Sequence, residues 1–202
     1  LAFYRMDQTM VPDYPLVDVD PDSMAVLAPE KYPMAGRTTH EVTVGVYDVK
    51  ADKTIYLKVG SPKDRYFVNI GWSPDGKTIY LKEFNRKQNE MSLDAYDAVT
   101  GDKRATLYTE RHEKYITSYT SVAFLPWDAD KFIIQSQKDG YNHLYLFNTK
   151  GEMLRQLTSG NFVVYDLLGF DKARKRAIIL SAESSPIQSN LYAVDIATGK
   201  RT

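Results

Sequence analysis

The sequence predicts an all-β protein, a partial β-propeller made of four-stranded antiparallel blades. Three observations favour this fold class. Turn motifs recur at a period of about 50 residues, which suits one four-stranded blade per repeat. Apolar and polar residues alternate, as in Thr78-Ile79-Tyr80-Leu81-Lys82, and the helix period is absent. The chain is also rich in residues that strands favour, with 15 Tyr and 8 Phe.

The repeat is carried by two kinds of turn. One kind closes a later hairpin and ends on Gly101, Gly151 and Gly199, which follow one another at intervals of 50 and 48 residues. A weaker copy precedes them, because Asp48 lies 49 residues before Asp97. The other kind places an aromatic residue before a Pro, Asp or Lys turn and an apolar strand, as in WSPDGKTIYL, FLPWDADKFII and GFDKARKRAIIL. Each repeat therefore contains two hairpins and predicts one blade.

The turns divide the chain into about three and a half blades. We expect three blades at 66–109, 119–158 and 163–202, preceded at 1–60 by the end of an earlier blade. That earlier unit carries a long insertion, rich in Pro and Asp, from Asp7 to Glu41. Closed propellers have about 4–8 blades, so the chain is expected to form part of a larger ring. An incomplete ring exposes strand edges, which predicts self-association of this segment.

Composition excludes several classes of function. The 26 Lys and Arg residues are balanced by 26 Asp and Glu residues, so no surplus charge is available for the phosphates of a nucleic acid. The absence of cysteine excludes disulfides, thiolate metal sites and a cysteine nucleophile. Apolar runs such as Phe162-Val163-Val164-Tyr165 are far shorter than the roughly 18 residues that cross a bilayer.

No motif in the chain predicts a catalytic, cofactor or metal site. The sequence lacks the G-x-S-x-G elbow of serine hydrolases and the glycine-rich loops that hold phosphates. Asp18, Asp20 and Asp22 begin like a calcium loop, but Ser23 and Pro29 occupy positions where that loop needs Gly and Glu. An acidic surface loop is the simpler interpretation. The histidines lack metal-ligand spacing and are expected to be packing or surface residues: His40, His112 and His143.

Two groups of residues leave a binding role open. The cluster Glu110, Arg111, His112 and Glu113 lies between predicted blades, where it either faces a central channel or, as we expect, is solvated. Four tyrosines either line a groove for stacking or pack between blades, the arrangement we favour: Tyr115, Tyr119, Tyr141 and Tyr165. Tyr119, in the segment Tyr115 to Ser121 between predicted blades, is the candidate for a cavity-facing side chain.

Several strings, in order along the chain, resemble the propeller domain of the dipeptidyl peptidase IV family. They begin with LAFYRMDQTMVPDY at Leu1 and YPMAG at Tyr32. FNRKQNEMSLDAYDAVTG follows at Phe84, and QKDGYNHLYLF at Gln137. QLTSGNFVVYDLLGFD at Gln156 and SSPIQSNLY at Ser184 complete the set. Single strings such as SPDG are common among propellers, whereas the ordered set is specific.

The resemblance implies a serine exopeptidase that removes dipeptides from peptide N-termini. In that family an eight-bladed propeller restricts access to a cavity and holds acidic residues that bind the peptide amine. The serine triad lies in a C-terminal α/β-hydrolase domain. None of these catalytic or amine-binding residues falls on a position of this chain. The resemblance also implies a periplasmic or secreted enzyme that needs no cofactor. The alternative is a non-enzymatic propeller that binds a protein or peptide.

Overall fold

All regular structure in the chain is β-strand. The computed structural model describes residues 1–117 and 120–202, and within these ranges no helix is present. Accordingly, no helix of this part of the chain could span a membrane. The strands form several antiparallel sheets, two of them four-stranded, so the all-β fold class predicted from the sequence is confirmed.

The first sheet is interrupted by a long insertion. β1 (Ala2–Asp7) is followed by four two-residue strands, β2 (Asp13–Tyr14), β3 (Val17–Asp18), β4 (Val26–Leu27) and β5 (Glu30–Lys31). These pair as two small ribbons, β2 with β5 and β3 with β4. The chain then returns through β6 (Glu41–Asp48), which pairs with β1 on one side and with β7 (Lys53–Tyr56) on the other. The insertion is thus an extended hairpin that leaves the sheet at Asp7 and rejoins it at Glu41.

Three further sheets follow as simple meanders. The second sheet contains β8 (Arg65–Trp72), β9 (Thr78–Asn85), β10 (Glu90–Asp97) and β11 (Lys103–Arg111). The third contains β12 (Ala123–Leu125), β13 (Asp128–Ser136), β14 (His143–Asn148) and β15 (Met153–Gln156). The fourth contains β16 (Val164–Asp171), β17 (Arg176–Ser181) and β18 (Asn190–Asp195), and an isolated bridge joins Val194 to Arg201 at its edge. Each strand pairs with its neighbour in sequence, as in propeller blades.

A repeated side-chain turn closes the last hairpin of each sheet. The Asp97 carboxylate accepts hydrogen bonds of 2.8 Å from the backbone N–H groups of Val99 and Thr100. Asn148 and Asp195 start the equivalent turns in the third and fourth sheets, where their side-chain oxygens also accept backbone N–H groups. Asp and Asn favour such turns because their short side chains reproduce a backbone turn. The repeat in the sequence therefore corresponds to a repeated local structure.

The glycine of each of these turns lies against the backbone of the preceding sheet. A Cβ atom added at Gly101 would lie 2.4 Å from the carbonyl oxygen of Tyr56, at the end of β7. Equivalent positions exist in the next two sheets, where Gly151 lies against Leu107 and Gly199 against Leu157. At the first contact, the Lys58 N–H also donates to the Gly101 carbonyl at 2.8 Å. Successive sheets therefore stack through backbone contacts at their outer turns.

The apolar core lies between the sheets. On β9, Ile79 packs toward the first sheet with Val44 and Tyr96. Its neighbour Tyr80 points the other way and packs with Phe132 of the third sheet. A further cluster joins the third and fourth sheets: Ile133, Leu144, Val164, Ile179 and Val194. Both faces of each inner sheet are buried because side chains alternate between the faces. This sheet-on-sheet core is that of stacked blades.

The turn contact predicts a difference between two glycine substitutions. Gly101 has φ +75 and Gly76 has φ +69, but only Gly101 has backbone within 4 Å of an added Cβ. We expect Gly76→Ala to cost about 1 kcal/mol, the usual penalty for a left-handed alanine. Gly101→Ala is expected to cost a further ~1–3 kcal/mol, because the Tyr56 carbonyl must move. Urea unfolding of the two variants measures the difference, and equal costs would show that the sheets do not meet at this turn.

Candidate functional site

The tyrosines singled out in the sequence do not form one cluster. Tyr119 lies outside the described residues. Tyr115, Tyr141 and Tyr165 are exposed by 58%, 39% and 42%, so the expectation that they pack between blades is wrong for these three. Tyr115 contacts the ring of His112, and Tyr141 contacts the ring of His143. No ring contact joins the three tyrosines to one another in the described part of the chain, and hence they form no common stacking groove there.

Glu110 is buried, whereas its neighbours in the sequence cluster are exposed. The Glu110 side chain is 7% exposed, so the expectation that the whole cluster is solvated is wrong at this position. Its Oε2 atom accepts hydrogen bonds from Ser136 Oγ at 2.7 Å and from Tyr108 Oη at 3.0 Å. Tyr108 and Glu110 share one face of β11 because strand side chains alternate. That face packs against the third sheet, while Arg111 points away from it.

Two lysines approach the same carboxylate. Lys82, on β9, is 1% exposed, and burial lowers its pKa to about 8, while attraction to Glu110 opposes that shift. Lys138 comes from the third sheet, with its Nζ 4.1 Å from the centroid of the Tyr145 ring. Burial lowers the pKa of Lys138, and again the charge of Glu110 opposes the shift. We call this group, Lys82, Tyr108, Glu110, Ser136 and Lys138, the Glu110 cluster.

A second buried carboxylate lies on the opposite face of the second sheet. Arg65 Nη1 lies 2.8 Å from Glu83 Oε2, and the Tyr96 hydroxyl donates to the other oxygen of Glu83. Burial raises the pKa of Glu83, opposed by the Tyr96 hydrogen bond and by the charge of Arg65. Next to it, the fully buried Asp94 accepts a 2.8 Å hydrogen bond from Ser92 Oγ. The second sheet thus carries a buried charge cluster on each face.

A cavity of about 220 Å³ opens where β9 and β10 meet their connecting loop. Its lining carries both signs of charge: Arg65, Glu83, Glu90, Glu110 and Arg111. The carboxylate of Glu83 and the guanidinium of Arg65 already bind each other. This ion pair fixes the two charged groups in place, which suits a structural role.

Lys82 and Glu83 are buried charges that the turn and repeat patterns of the sequence do not predict. Their signal was present, since the string Leu-Lys-Glu-Phe places two adjacent charges inside an otherwise apolar strand. Because neighbours on a strand point to opposite faces, the two charges had to enter different interfaces. Glu110 carried no comparable signal, since it lies in a run of charged residues that looks solvated.

Two of the candidate metal ligands, His143 and Asp18, have hydrogen-bond partners within the protein. His143 is fully buried, with its ring nitrogens 3.1 Å from Thr158 Oγ1 and 2.9 Å from the Gly160 carbonyl oxygen. It is a packing histidine. Asp18 lies in the insertion, where its carboxylate accepts the Asp20 N–H at 3.0 Å. Within the described ranges, no group of three or more His, Asp or Glu side chains is placed to hold a metal ion.

Comparison with known proteins identifies the family. The profile of the dipeptidyl peptidase IV (DPP IV) N-terminal region matches residues 1–202. The chain belongs to this family. The resemblance found in the sequence is therefore confirmed, and the DPP IV N-terminal segment described above is an all-β array of stacked sheets.

Solved structures and curated relatives agree with this assignment. A Bacteroides ovatus protein assigned as a dipeptidyl aminopeptidase IV is 43% identical, with a TM-score of 0.90 over 99% of this chain and 31% of that one. Porphyromonas gingivalis dipeptidyl peptidase 4 is 28% identical, with a TM-score of 0.86 over 100% of this chain and 28% of that one. An Aspergillus flavus protein named "probable dipeptidyl peptidase 4" is 27% identical over 98% of this chain and 27% of its own length. The chain spans less than a third of each relative.

The buried Lys82 predicts a rise in stability at alkaline pH. Its pKa is about 8 in the folded DPP IV segment, against 10.5 for an ordinary lysine, so unfolding takes up a proton between these values. The free energy of unfolding is therefore expected to rise by about 2 kcal/mol between about pH 7.5 and about pH 9.5. Urea titrations across this range measure the rise.

Two lysine variants test the origin of this rise. Lys82→Met is expected to remove most of the rise and to leave the smaller part that Lys138 contributes, because burial also lowers the pKa of Lys138. Lys114→Met, at an exposed position, is expected to retain the full rise. An unchanged pH dependence in Lys82→Met would show that Lys82 is not held in a desolvated site.

Proposed function

We propose that this chain is the propeller segment of a DPP IV-like serine exopeptidase. In that enzyme it gates the access of peptides and scaffolds a catalytic cavity, whose triad lies in a C-terminal α/β-hydrolase domain of the same protein. The observation that carries the proposal is the match of all 202 residues to the DPP IV N-terminal region. The 43% identity to the Bacteroides ovatus structure over 99% of the chain supports it.

The close packing between the sheets suits the wall of a cavity better than a site of catalysis. Successive sheets meet through backbone contacts at Gly101, Gly151 and Gly199, and aromatic and aliphatic side chains fill the space between them. The buried carboxylate of Glu110 accepts hydrogen bonds from neighbouring side chains, Ser136 and Tyr108. A rigid wall of this kind excludes folded proteins and admits extended peptides.

We assign the sheets to blades of one ring. The blades correspond to 66–109, 119–158 and 163–202, with 1–60 as the later part of a preceding blade that carries the insertion. In this ring the first strand of each blade, β8, β12 or β16, lies next to the central channel. The family precedent suggests eight blades in total, peptide substrates and a periplasmic or secreted enzyme.

The alternative is a propeller that binds proteins or peptides without catalysis. The exposed tyrosines Tyr115, Tyr141 and Tyr165 favour it, because exposed aromatic rings are common at binding surfaces. The two functions differ in whether the longer protein that contains this chain hydrolyses a peptide bond.

Hydrolysis of Gly-Pro-p-nitroanilide tests the proposal. The longer protein is expected to release p-nitroaniline, and alanine at the serine of its G-x-S-x-G motif is expected to abolish release. The 202-residue chain alone is expected to show no turnover, since it contains no such motif. Two results would contradict the proposal. One is turnover by the isolated chain at the rate of the longer protein, and the other is a longer protein that binds peptides without cleaving them.

A further inference from the structure

A pocket of about 250 Å³ lies between the third and fourth sheets, beside their first strands. It exists because β12 is short. β12 pairs with β13 only as far as Ala123, which lies opposite Ile133. The preceding residues, 120–122, line the pocket, and so does Gln135, beyond the last pair. Val122 packs on Gly71 of the second sheet, where an added Cβ would lie 2.8 Å from Val122 Cγ2. This contact draws the segment away from β13.

The fourth sheet closes the pocket with a bulged strand. Val164 pairs with Ser181 and Asp166 with Leu180, so the register shifts at Tyr165. In a regular strand one of two adjacent residues would point inward. Here Val164 is fully buried, while both Tyr165 and Asp166 are exposed. Bulges commonly re-aim side chains in this way at sheet edges. Because of the bulge, the Asp166 side chain is exposed to solvent and also lines the pocket.

The lining has the chemistry of a site for an organic cation. Asp166 is the one ionisable residue among the described residues that line it, and no lysine or arginine is present there. Thr120 Oγ1 is buried and has no hydrogen-bond partner in the described part of the chain. The amide of the buried Gln135 adds a further polar group, and Val122 and Leu167 supply apolar wall. A carboxylate above an aliphatic wall fits a cation on an alkyl stem.

We propose that this pocket binds the basic side chain, lysine or arginine, of a peptide in the channel. Asp166 is the counter-ion, Thr120 receives a hydrogen bond from the cation, and the apolar wall contacts the alkyl stem. The proposal rests on the proposed function in one respect, namely that β12 and β16 line the channel through which peptides pass. It adds a preference for basic residues, a property separate from the removal of dipeptides.

Calorimetric titration of the longer protein with capped peptides tests the pocket directly. The probes are Ac-Ala-Lys-Ala-Ala-amide and its norleucine counterpart, both acetylated so that neither has a free α-amine. The lysine peptide is expected to bind about fivefold more tightly, a preference typical of one partly exposed ion pair. This preference is expected to fall as salt is added.

Three variants assign the preference to Asp166. Asp166→Asn is expected to bind the lysine and norleucine peptides equally. Asp166→Glu is expected to keep the preference for the lysine peptide, because it keeps the carboxylate. Glu113→Gln removes one exposed carboxylate elsewhere and is expected to retain it. Equal binding of the two peptides to the unmodified protein, or an unchanged preference in Asp166→Asn, would overturn the proposal.

A third peptide separates the side chain from the α-amine. Ala-Pro-Nle-Ala-amide has a free amine and no basic side chain. Its binding is measured in protein whose G-x-S-x-G serine is alanine, because the proposed peptidase would otherwise cleave the peptide after Pro. In that background, Asp166→Asn is expected to bind the peptide as tightly as the protein that keeps Asp166. If Asp166→Asn weakens the binding of this peptide and leaves the lysine preference unchanged, the pocket binds the α-amine, and the side-chain proposal is overturned. Turnover of Gly-Pro-p-nitroanilide by the unmodified protein is measured separately. Its absence would contradict the peptidase function, while the calorimetric comparison would still decide the cation site.

Discussion

The stacking of each sheet on the next is set by a contact between backbone and backbone at the outer turns. At Gly101 the approach to the Tyr56 carbonyl leaves no room for a side chain, and Gly151 approaches the Leu107 carbonyl in the same way. The contact at Gly199 is looser, since an added Cβ would lie 3.1 Å from the Leu157 carbonyl oxygen. Because the backbones touch there, the separation of the sheets is fixed at one edge. Side chains such as Ile79 and Tyr80 must then fill a space of fixed width on each face. The packing of the core follows from this constraint.

The same constraint explains why charged residues can be buried between the sheets. A buried charge is tolerated only when its partners are held in place, since desolvation otherwise outweighs the attraction. Glu83 is held by Arg65, which begins β8, and Glu110 is held by Ser136 of the neighbouring sheet. The Glu110 pairing depends on the stacking of the third sheet on the second, whereas the pairing of Arg65 with Glu83 lies within the second sheet. The Glu110 cluster therefore selects one alignment of the second and third sheets.

The local parts of this structure could be predicted from the sequence, and the contacts between sheets could not. The turn at Asp97 and Gly101 is encoded within five residues, and its repetition revealed the blades. The burial of Glu110 depends on Ser136, 26 residues away, and the sequence around Glu110 indicates a solvated cluster. The pocket beside Asp166 depends on where β12 ends and where β16 bulges, neither of which follows from periodicity. Tyr119, the residue favoured at the start, lies outside the described residues.

The central claim is that these sheets are consecutive blades in the wall of a peptidase cavity. It is tested most directly by an electron cryomicroscopy structure of the longer protein that contains this chain. The account predicts one propeller ring over an α/β-hydrolase domain, with β8, β12 and β16 beside the central channel and Asp166 facing it. A structure in which these strands lie on the outer rim, or in which the sheets belong to no ring, would contradict the account.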